Sequence, residues 1–312
     1  MVTVADTLTR SRPVRRVRRQ LLPYAALFVL GLIWGSSFLF IKIAVVDLGP
    51  RALVFGRSSA AAAALAVFFA VRARSPLTAA HRQRLPSYLA MALLNGVIPW
   101  LGIAFGELAV SSGLASIFNA TTPLWTALLA WSLTPTERPR PVNYLGVLVG
   151  FGGTVLLILP RLQGGGARAT LIGSASVLLA ALSYAVAALY QRRRLRDVDP
   201  FDAAFWQMAL MALVMLPVAI PGIESVHLSW AALIAVLAMG IGASCVGIVL
   251  YYWLLNRLGA AGASSVNYLL PATALLWGVL FLHETVTPLM LGGAAIILCG
   301  VLLTSVGRGS HA

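Results

Sequence analysis

Ten stretches of this chain carry about twenty residues each with almost no charge. They cover residues 24–46, 52–71, 87–107, 112–133, 142–160, 170–190, 201–220, 230–250, 260–282 and 286–306. A hydrocarbon core about 30 Å thick takes ~20 helical residues at ~1.5 Å each. Inside lipid the backbone must satisfy its own N–H and C=O groups, so helices or closed barrels are the permitted spans. Barrel strands alternate apolar and polar residues, whereas the run Ala60–Ala70 is apolar throughout. Ten transmembrane helices are therefore predicted. The connections are short and rich in turn residues, as at Leu48-Gly49-Pro50, Thr134-Pro135-Thr136, Gly164-Gly165-Gly166, Asp199-Pro200 and Pro221-Gly222. They leave no room for a separate water-soluble domain. Composition agrees: 60% of residues are apolar and 10% charged, too few charges for the surface of a soluble fold.

The net charge of +14 follows the loops. With the N-terminus in the cytoplasm, the inner segments hold Arg10, Arg12, Arg15, Arg16, Arg18 and Arg19. They also hold Arg72, Arg74, Arg82, Arg84, Arg138, Arg140, Arg192, Arg193, Arg194, Arg196, Arg257 and Arg308. These are 18 of the 23 basic residues; the outer segments hold Arg51, Arg161 and Arg168. Short cytoplasmic loops collect Lys and Arg, which sets orientation. Both termini are thus expected inside, and the plasma (inner) membrane is the expected location. The six N-terminal arginines resemble the n-region of a signal peptide, but the next apolar run is too long for one and ends in no small-x-small site. It is expected to stay as the first span. Because the basic residues track topology and form no single patch, nucleic acid is excluded as a partner. Membrane lipid and a small-molecule substrate are the expected partners.

The chain repeats itself. Ala115-Ser116-Ile117-Phe118-Asn119-Ala120-Thr121-Thr122-Pro123, then Glu137, Gly146 and Gly153, is matched by Ala263-Ser264-Ser265-Val266-Asn267-Tyr268-Leu269-Leu270-Pro271, then Glu284, Gly293 and Gly300. The offset is 148 through the proline and 147 from the glutamate onward; at 150, Trp34 meets Tyr184, Lys42 meets Arg192 and Arg57 meets Gln207. Fixed-offset similarity marks internal duplication. Five spans per unit is an odd number, so the second copy is inverted in the membrane, as in many secondary transporters. The predicted organisation is a basic tail (1–23), a first repeat (24–160), a second repeat (170–306) and a short cytoplasmic tail (307–312).

These features resemble the EamA-type family of the drug/metabolite transporter superfamily. The likeness rests on Trp34-Gly35-Ser36-Ser37-Phe38 with Lys42, on Arg57, on the Gly113-Leu114-Ala115-Ser116…Pro123…Glu137 block, and on the Tyr268-Leu269-Leu270-Pro271…Glu284…Gly293 block. It spans residues 24 to about 306. The resemblance implies ten helices, both termini inside, a central cavity between repeats, and export of amino acids or other small metabolites. Thr134-Pro135-Thr136 departs from the family's apolar-Gly lead-in to the glutamate, which is expected to alter only a loop.

The candidate site residues are the polar groups within spans. Lys42 and Arg57 are the basic residues assigned there. Charge at mid-membrane costs ~3 kcal/mol or more and usually faces a cavity or a partner. They either snorkel to the outer headgroups or form a cationic outer half of the cavity that meets a substrate carboxylate. Asn119 and Asn267 lie four residues before Pro123 and Pro271, which free the Asn carbonyls. Each position is either a polar mid-membrane spot or a kink whose polar groups satisfy one another. Pro123 and Pro271 are candidate hinges. Trp34, Phe38, Tyr184, Trp206 and Gln207 are candidates to line the same cavity, the aromatics otherwise serving as packing or interfacial anchors.

The remaining motifs read as structural. Gly102–Gly106 and Gly146–Gly150 have the spacing of close helix contacts. Glu137 and Glu284 are expected to hold the first amides of the helix that follows each. The other acids, Glu107 among them, are expected near span ends, so no carboxylate relay at mid-membrane is predicted; Glu107 is placed at the outer cavity mouth. Cys245 and Cys299 are expected to be buried and inert. No Cys/His spacing calls for metal, no cofactor is implied, and His81, His227, His283 and His311 are scattered. A secondary exporter is the favoured function. A passive channel or membrane scaffold is the alternative, and an integral-membrane enzyme would need a catalytic cluster that the sequence lacks.

Overall fold

The computed structural model describes residues 12–76, 78–133, 140–162, 166–221, 224 and 226–305. The Thr134-Pro135-Thr136 loop, Glu137, Arg138 and both ends of the chain lie outside the described residues. Those described form an all-helical protein with six helices long and apolar enough to cross a membrane, and with shorter apolar helices beside them.

Helix α1 (Arg12–Val71) is two arms joined at Gly49, whose φ of 67° and ψ of 163° end one arm before Pro50 opens the next. Glycine is the residue that takes this positive φ without a steric penalty. A short α2 (Ala79–Gln83) leads to α3 (Leu85–Ala92), a π-helical turn Leu93–Val97, and α4 (Ile98–Glu107). Helices α5 (Ser112–Asn119) and α6 (Thr122–Leu133) are separated at Ala120–Thr121. Next come α7 (Pro141–Ile158), α8 (Ala167–Arg194) and α9 (Pro200–Ala219). Helix α10 (Trp230–Leu237) passes through a π-helical segment Ala238–Val246 into α11 (Gly247–Ser264). Helices α12 (Val266–Leu282) and α13 (Pro288–Ser305) complete the bundle.

Large apolar side chains lie on the outside as well as within: Val46, Leu148, Leu179, Leu213, Trp230 and Phe281 are all exposed. In water this would be a defect; against lipid it is the expected surface. Small residues make the tight contacts. A Cβ on Gly146 of α7 would stand 2.7 Å from the Gly300 carbonyl of α13, and one on Gly102 of α4 would stand 2.7 Å from the Ser176 carbonyl of α8. Both glycine pairs therefore do what their spacing predicts. The cysteines differ from expectation: Cys245 is half-buried and Cys299 is exposed on the apolar outer surface of α13.

The two Asn/Pro segments also differ. Pro123 sits in the first turn of α6, where its missing N–H costs least, and the chain breaks just before it. The Asn119 carbonyl is not left open: the Thr122 hydroxyl donates to it at 2.7 Å. Pro271 instead lies inside the continuous α12, and the helix boundary comes earlier, at Ser265.

Candidate functional site

A cavity of about 450 Å³ runs between the two halves of the chain. Both arms of α1 line it with Trp34, Phe38 and Arg57. The first half adds Asn95, Trp100, Asn119 and Pro123; the second adds Tyr184, Gln207, Ser244, Tyr251, Tyr252 and Asn267. The volume suits a small organic molecule.

Arg57 dominates it. The residue is 8% exposed, and its guanidinium carbon stands 3.7 Å from the centre of the Trp100 ring. Nη1 approaches the Met239 sulfur at 3.8 Å, while Nε has no partner, and no carboxylate pairs with it among the described residues. Stacking on an aromatic face suits a weakly hydrated, planar cation. The site thus presents a buried positive charge whose hydrogen-bonding capacity is largely unused.

Other polar groups face the same space. The Asn95 amide donates to Gln207 Oε1 at 3.3 Å, across the two halves. Asn119 Oδ1 and the Ser244 hydroxyl are buried and have no hydrogen-bond partner among the described residues. Trp34 and Tyr251 are 5.5 Å apart between ring centres, and Tyr252 is 5.8 Å from Tyr251. Arg57 is the charged residue of this lining; the rest is aromatic, amide, hydroxyl or apolar.

The structure brings together Trp34, Arg57, Asn119, Tyr184, Gln207 and Asn267, with Pro123 beside them; Asn267 is the exposed member and Pro271 is off the lining. It separates two other candidates. Lys42 does not line the cavity: its ammonium donates to the Glu107 carbonyl and, at 2.9 Å, to the Val110 carbonyl, tying α1 to the α4–α5 turn. Trp206 is also elsewhere, stacked on Tyr88 and donating to the Pro76 carbonyl at 3.1 Å. Sequence reasoning missed Trp100, Ser244, Tyr251 and Tyr252, whose types are common in membrane helices, and Asn95, a polar residue within the span 87–107 that has Pro99 four residues on, the spacing of Asn119 and Asn267.

Two carboxylates also behave differently from expectation. Glu284 accepts from Ser112 N at 2.7 Å and Gly113 N at 3.1 Å. It does hold the first amides of a helix, but that helix is α5, far back in the chain, and not the α13 that follows. Glu107 is fully buried, and neither carboxylate oxygen has a hydrogen-bond partner among the described residues. It is not at an open cavity mouth.

A bundle of apolar helices in two similar halves, closing on a small cavity with one buried cation, is the form of a membrane transporter. The chain belongs to the EamA-like transporter family, whose model matches twice, over residues 21–159 and 171–306. It is a multi-pass membrane protein. Transporter YoaV of Bacillus subtilis (strain 168) is 26% identical, over 88% of this chain and 93% of its own. The inner membrane transporter YedA of Escherichia coli (strain K12) is 28% identical, over 93% of each chain. A probable terminal-alkyne amino-acid exporter of Streptantibioticus cattleyicolor is 27% identical, over 86% of this chain and 89% of its own. A crystal structure with 22% identity superposes with a TM-score of 0.61, over 91% of this chain and 96% of that one, which shows a shared fold.

Proposed function

We propose that this chain is a secondary exporter of small carboxylate-bearing metabolites, amino acids among them, working by alternating access through the central cavity. We assign it ten spans in two inverted five-helix repeats, with both termini in the cytoplasm. The observation that carries the reading is Arg57, a buried cation with no protein carboxylate on it. A buried cation costs several kcal/mol unless paired, and a substrate carboxylate is the missing partner. The name of the Streptantibioticus relative supports the same substrate class.

The lining reaches Gln191 and Pro200, near helix ends that we assign to the cytoplasm. Toward the other side it stops at Ile41, one residue from Lys42, and at Ile103, one helical turn before the Glu107 carbonyl that Lys42 holds. We therefore read this state as inward-facing. Lys42 closes the outer side in this account and takes no part in substrate contact.

Counterflow of labelled amino acids in proteoliposomes tests the assignment. Arg57→Ala is expected to lower transport ~30-fold or more, the effect of removing one partner of a buried charge pair. Asn119→Ala combined with Asn267→Ala is expected to abolish transport with insertion intact. Wild-type rates in both proteins would remove the site. Repeating the counterflow with and without a pH gradient separates a proton-coupled carrier from a facilitator.

A further inference from the structure

The two π-helical segments make one contact twice. In the span formed by α3 and α4, the Leu94 carbonyl accepts from Ser183 Oγ of α8 at 2.7 Å. In the span formed by α10 and α11, the Ala243 carbonyl accepts from Trp34 Nε1 of α1 at 3.1 Å. The donors Trp34 and Ser183 are 149 residues apart, and so are the acceptors Leu94 and Ala243. The first span of each half thus reaches across to the third span of the other.

A π turn bonds i to i+5 and leaves a carbonyl short of its usual donor. In a membrane interior that carbonyl has to find another. Ser183 supplies a hydroxyl and Trp34 an indole N–H. The chemistry differs while the role is kept and the register holds to within one residue of the 150 offset that pairs Trp34 with Tyr184, so we read the pairing as a property of the fold.

The residue after each tied carbonyl is polar and lines the cavity: Asn95 in one segment and Ser244 in the other, again 149 apart. Ser244 is 5% exposed and its hydroxyl is unpartnered. Ser112, Ser174 and Ser244 carry the buried serine hydroxyls without a partner among the described residues, and of these Ser244 is the one that lines the cavity. A buried hydroxyl left without a partner keeps the full penalty of its lost hydration. A ligand group that bonds to it recovers that cost.

We propose that the paired π segments are the specificity elements of the cavity, with Ser244 and Asn95 reading a hydrogen-bonding group carried by the substrate beside its carboxylate. The substrate class is a small acid bearing an ammonium or hydroxyl next to the carboxylate. Trp34 and Ser183 are positioning residues that hold the two segments in π form. The proposal rests on the Arg57 reading above.

Three probes separate the two claims: phenylalanine, 3-phenyllactate and 3-phenylpropionate. They share one skeleton and differ in the ammonium, hydroxyl or hydrogen beside the carboxylate. Affinities are measured by calorimetry on the full chain in nanodiscs. The native protein is expected to favour the first two over 3-phenylpropionate by ~10-fold or more, because a site built to bond a polar group rejects the analogue lacking it. Ser244→Ala and Asn95→Ala are expected to shrink that preference at least several-fold while 3-phenylpropionate affinity holds. Ser244→Thr keeps the hydroxyl and is expected to keep the preference. Ser183→Ala is expected to shrink it as well, with Ser183→Thr restoring it; a merely structural role would lower all three affinities together. Arg57→Gln is expected to weaken all three equally. An undiminished preference in Ser244→Ala and Asn95→Ala, or no preference in the native protein, would overturn the proposal and leave Arg57 standing. Failure of the native protein to bind any of the three would overturn both.

Discussion

The two faces of the bundle are tied by equivalent loops through unlike chemistry. On the face we assign to the outside, the turn between the arms of α1 holds the α9–α10 connection. The Asp47 carbonyl accepts from His227 N at 2.9 Å, its carboxylate accepts from the Ser229 hydroxyl, and Arg51 donates to the Pro221 carbonyl at 3.3 Å. On the face we assign to the cytoplasm, the α8–α9 turn holds the connection between α1 and α3. Here Arg84 grips Asp197 with two bonds of 3.0 and 2.6 Å, and Arg74 pairs with Asp202 at 2.6 Å and Asp199 at 3.4 Å. Asp47 and Asp197 are 150 residues apart, close to the offset that relates the repeats. The duplication has kept the strap and changed its bonds. On one side the carboxylate meets a neutral hydroxyl and the arginine a carbonyl; on the other, carboxylates meet arginines that its loops already carry for orientation.

The outer face has two further ties, Glu284 on the amides of α5 and Lys42 on the α4–α5 turn. These should be the contacts that open when the cavity turns outward. Glu284→Ala carries the largest expected effect on the comparison, since it strips two charged hydrogen bonds from buried amides at ~1.5–3 kcal/mol each. The outer side should then open more often, by ~10-fold or more. Labelling from outside of Ile41→Cys, in a protein with Cys245 and Cys299 replaced by Ala, would report it. An unchanged labelling rate would deny that Glu284 is a closing contact.

Lys42→Met should act in the same direction and slightly less, because the ammonium bonds carbonyls that water reaches when the turn loosens. It is read by the same labelling, and a gain of a few-fold is expected. Arg74→Ala comes third. The arginine is half-exposed while Asp202 is buried with His81 still 3.5 Å away, which puts the loss at ~1 kcal/mol, the top of the range for exposed ion pairs. A fall of a few degrees at most in melting temperature is expected, with outside labelling unaltered. A large gain in outside labelling would mean that the two faces are not independent.

The smallest effect concerns pH. The Arg84 guanidinium holds the Asp197 carboxyl down at about 2, below the usual ~3.9 of aspartate. A lowered carboxylate pKa contributes stability that is complete above the unfolded value and is lost as pH falls through the folded one. The Arg84–Asp197 contact should therefore be unchanged from pH 8 to pH 5 and weaken only between ~3.9 and about 2. A spin-label distance across this strap measures it; separation near pH 6 would contradict the assignment.

Much of this was legible in the residues. Apolar runs declare themselves because lipid tolerates little else, and Gly102, Gly106, Gly146 and Gly150 declare close packing because glycine alone permits it. Trp34, Arg57, Asn119, Tyr184, Gln207 and Asn267 were legible as cavity residues because polarity in a span needs a reason. Lys42 satisfied the same rule by another route, through backbone carbonyls 65 and 68 positions away that no local pattern reveals. Glu284 belongs by sequence to the turn before α13, but packing of the two halves places the α5 amides beside it. Asn95 falls under the same rule of polarity within a span, whereas Ser244 was hidden because serine is common in such helices and a π turn has no composition of its own. It takes the backbone to show which serine has lost its usual partner.

Trp100 offers the most direct test of the central claim, that a substrate carboxylate docks on Arg57. The indole lies against the guanidinium, so a carboxylate arriving there changes its surroundings. Fluorescence is recorded on the native protein and on Trp100→Phe during titration with phenylalanine. The account predicts a saturable change that disappears in Trp100→Phe and in Arg57→Gln. Saturable binding with the Trp100 signal unmoved would contradict it.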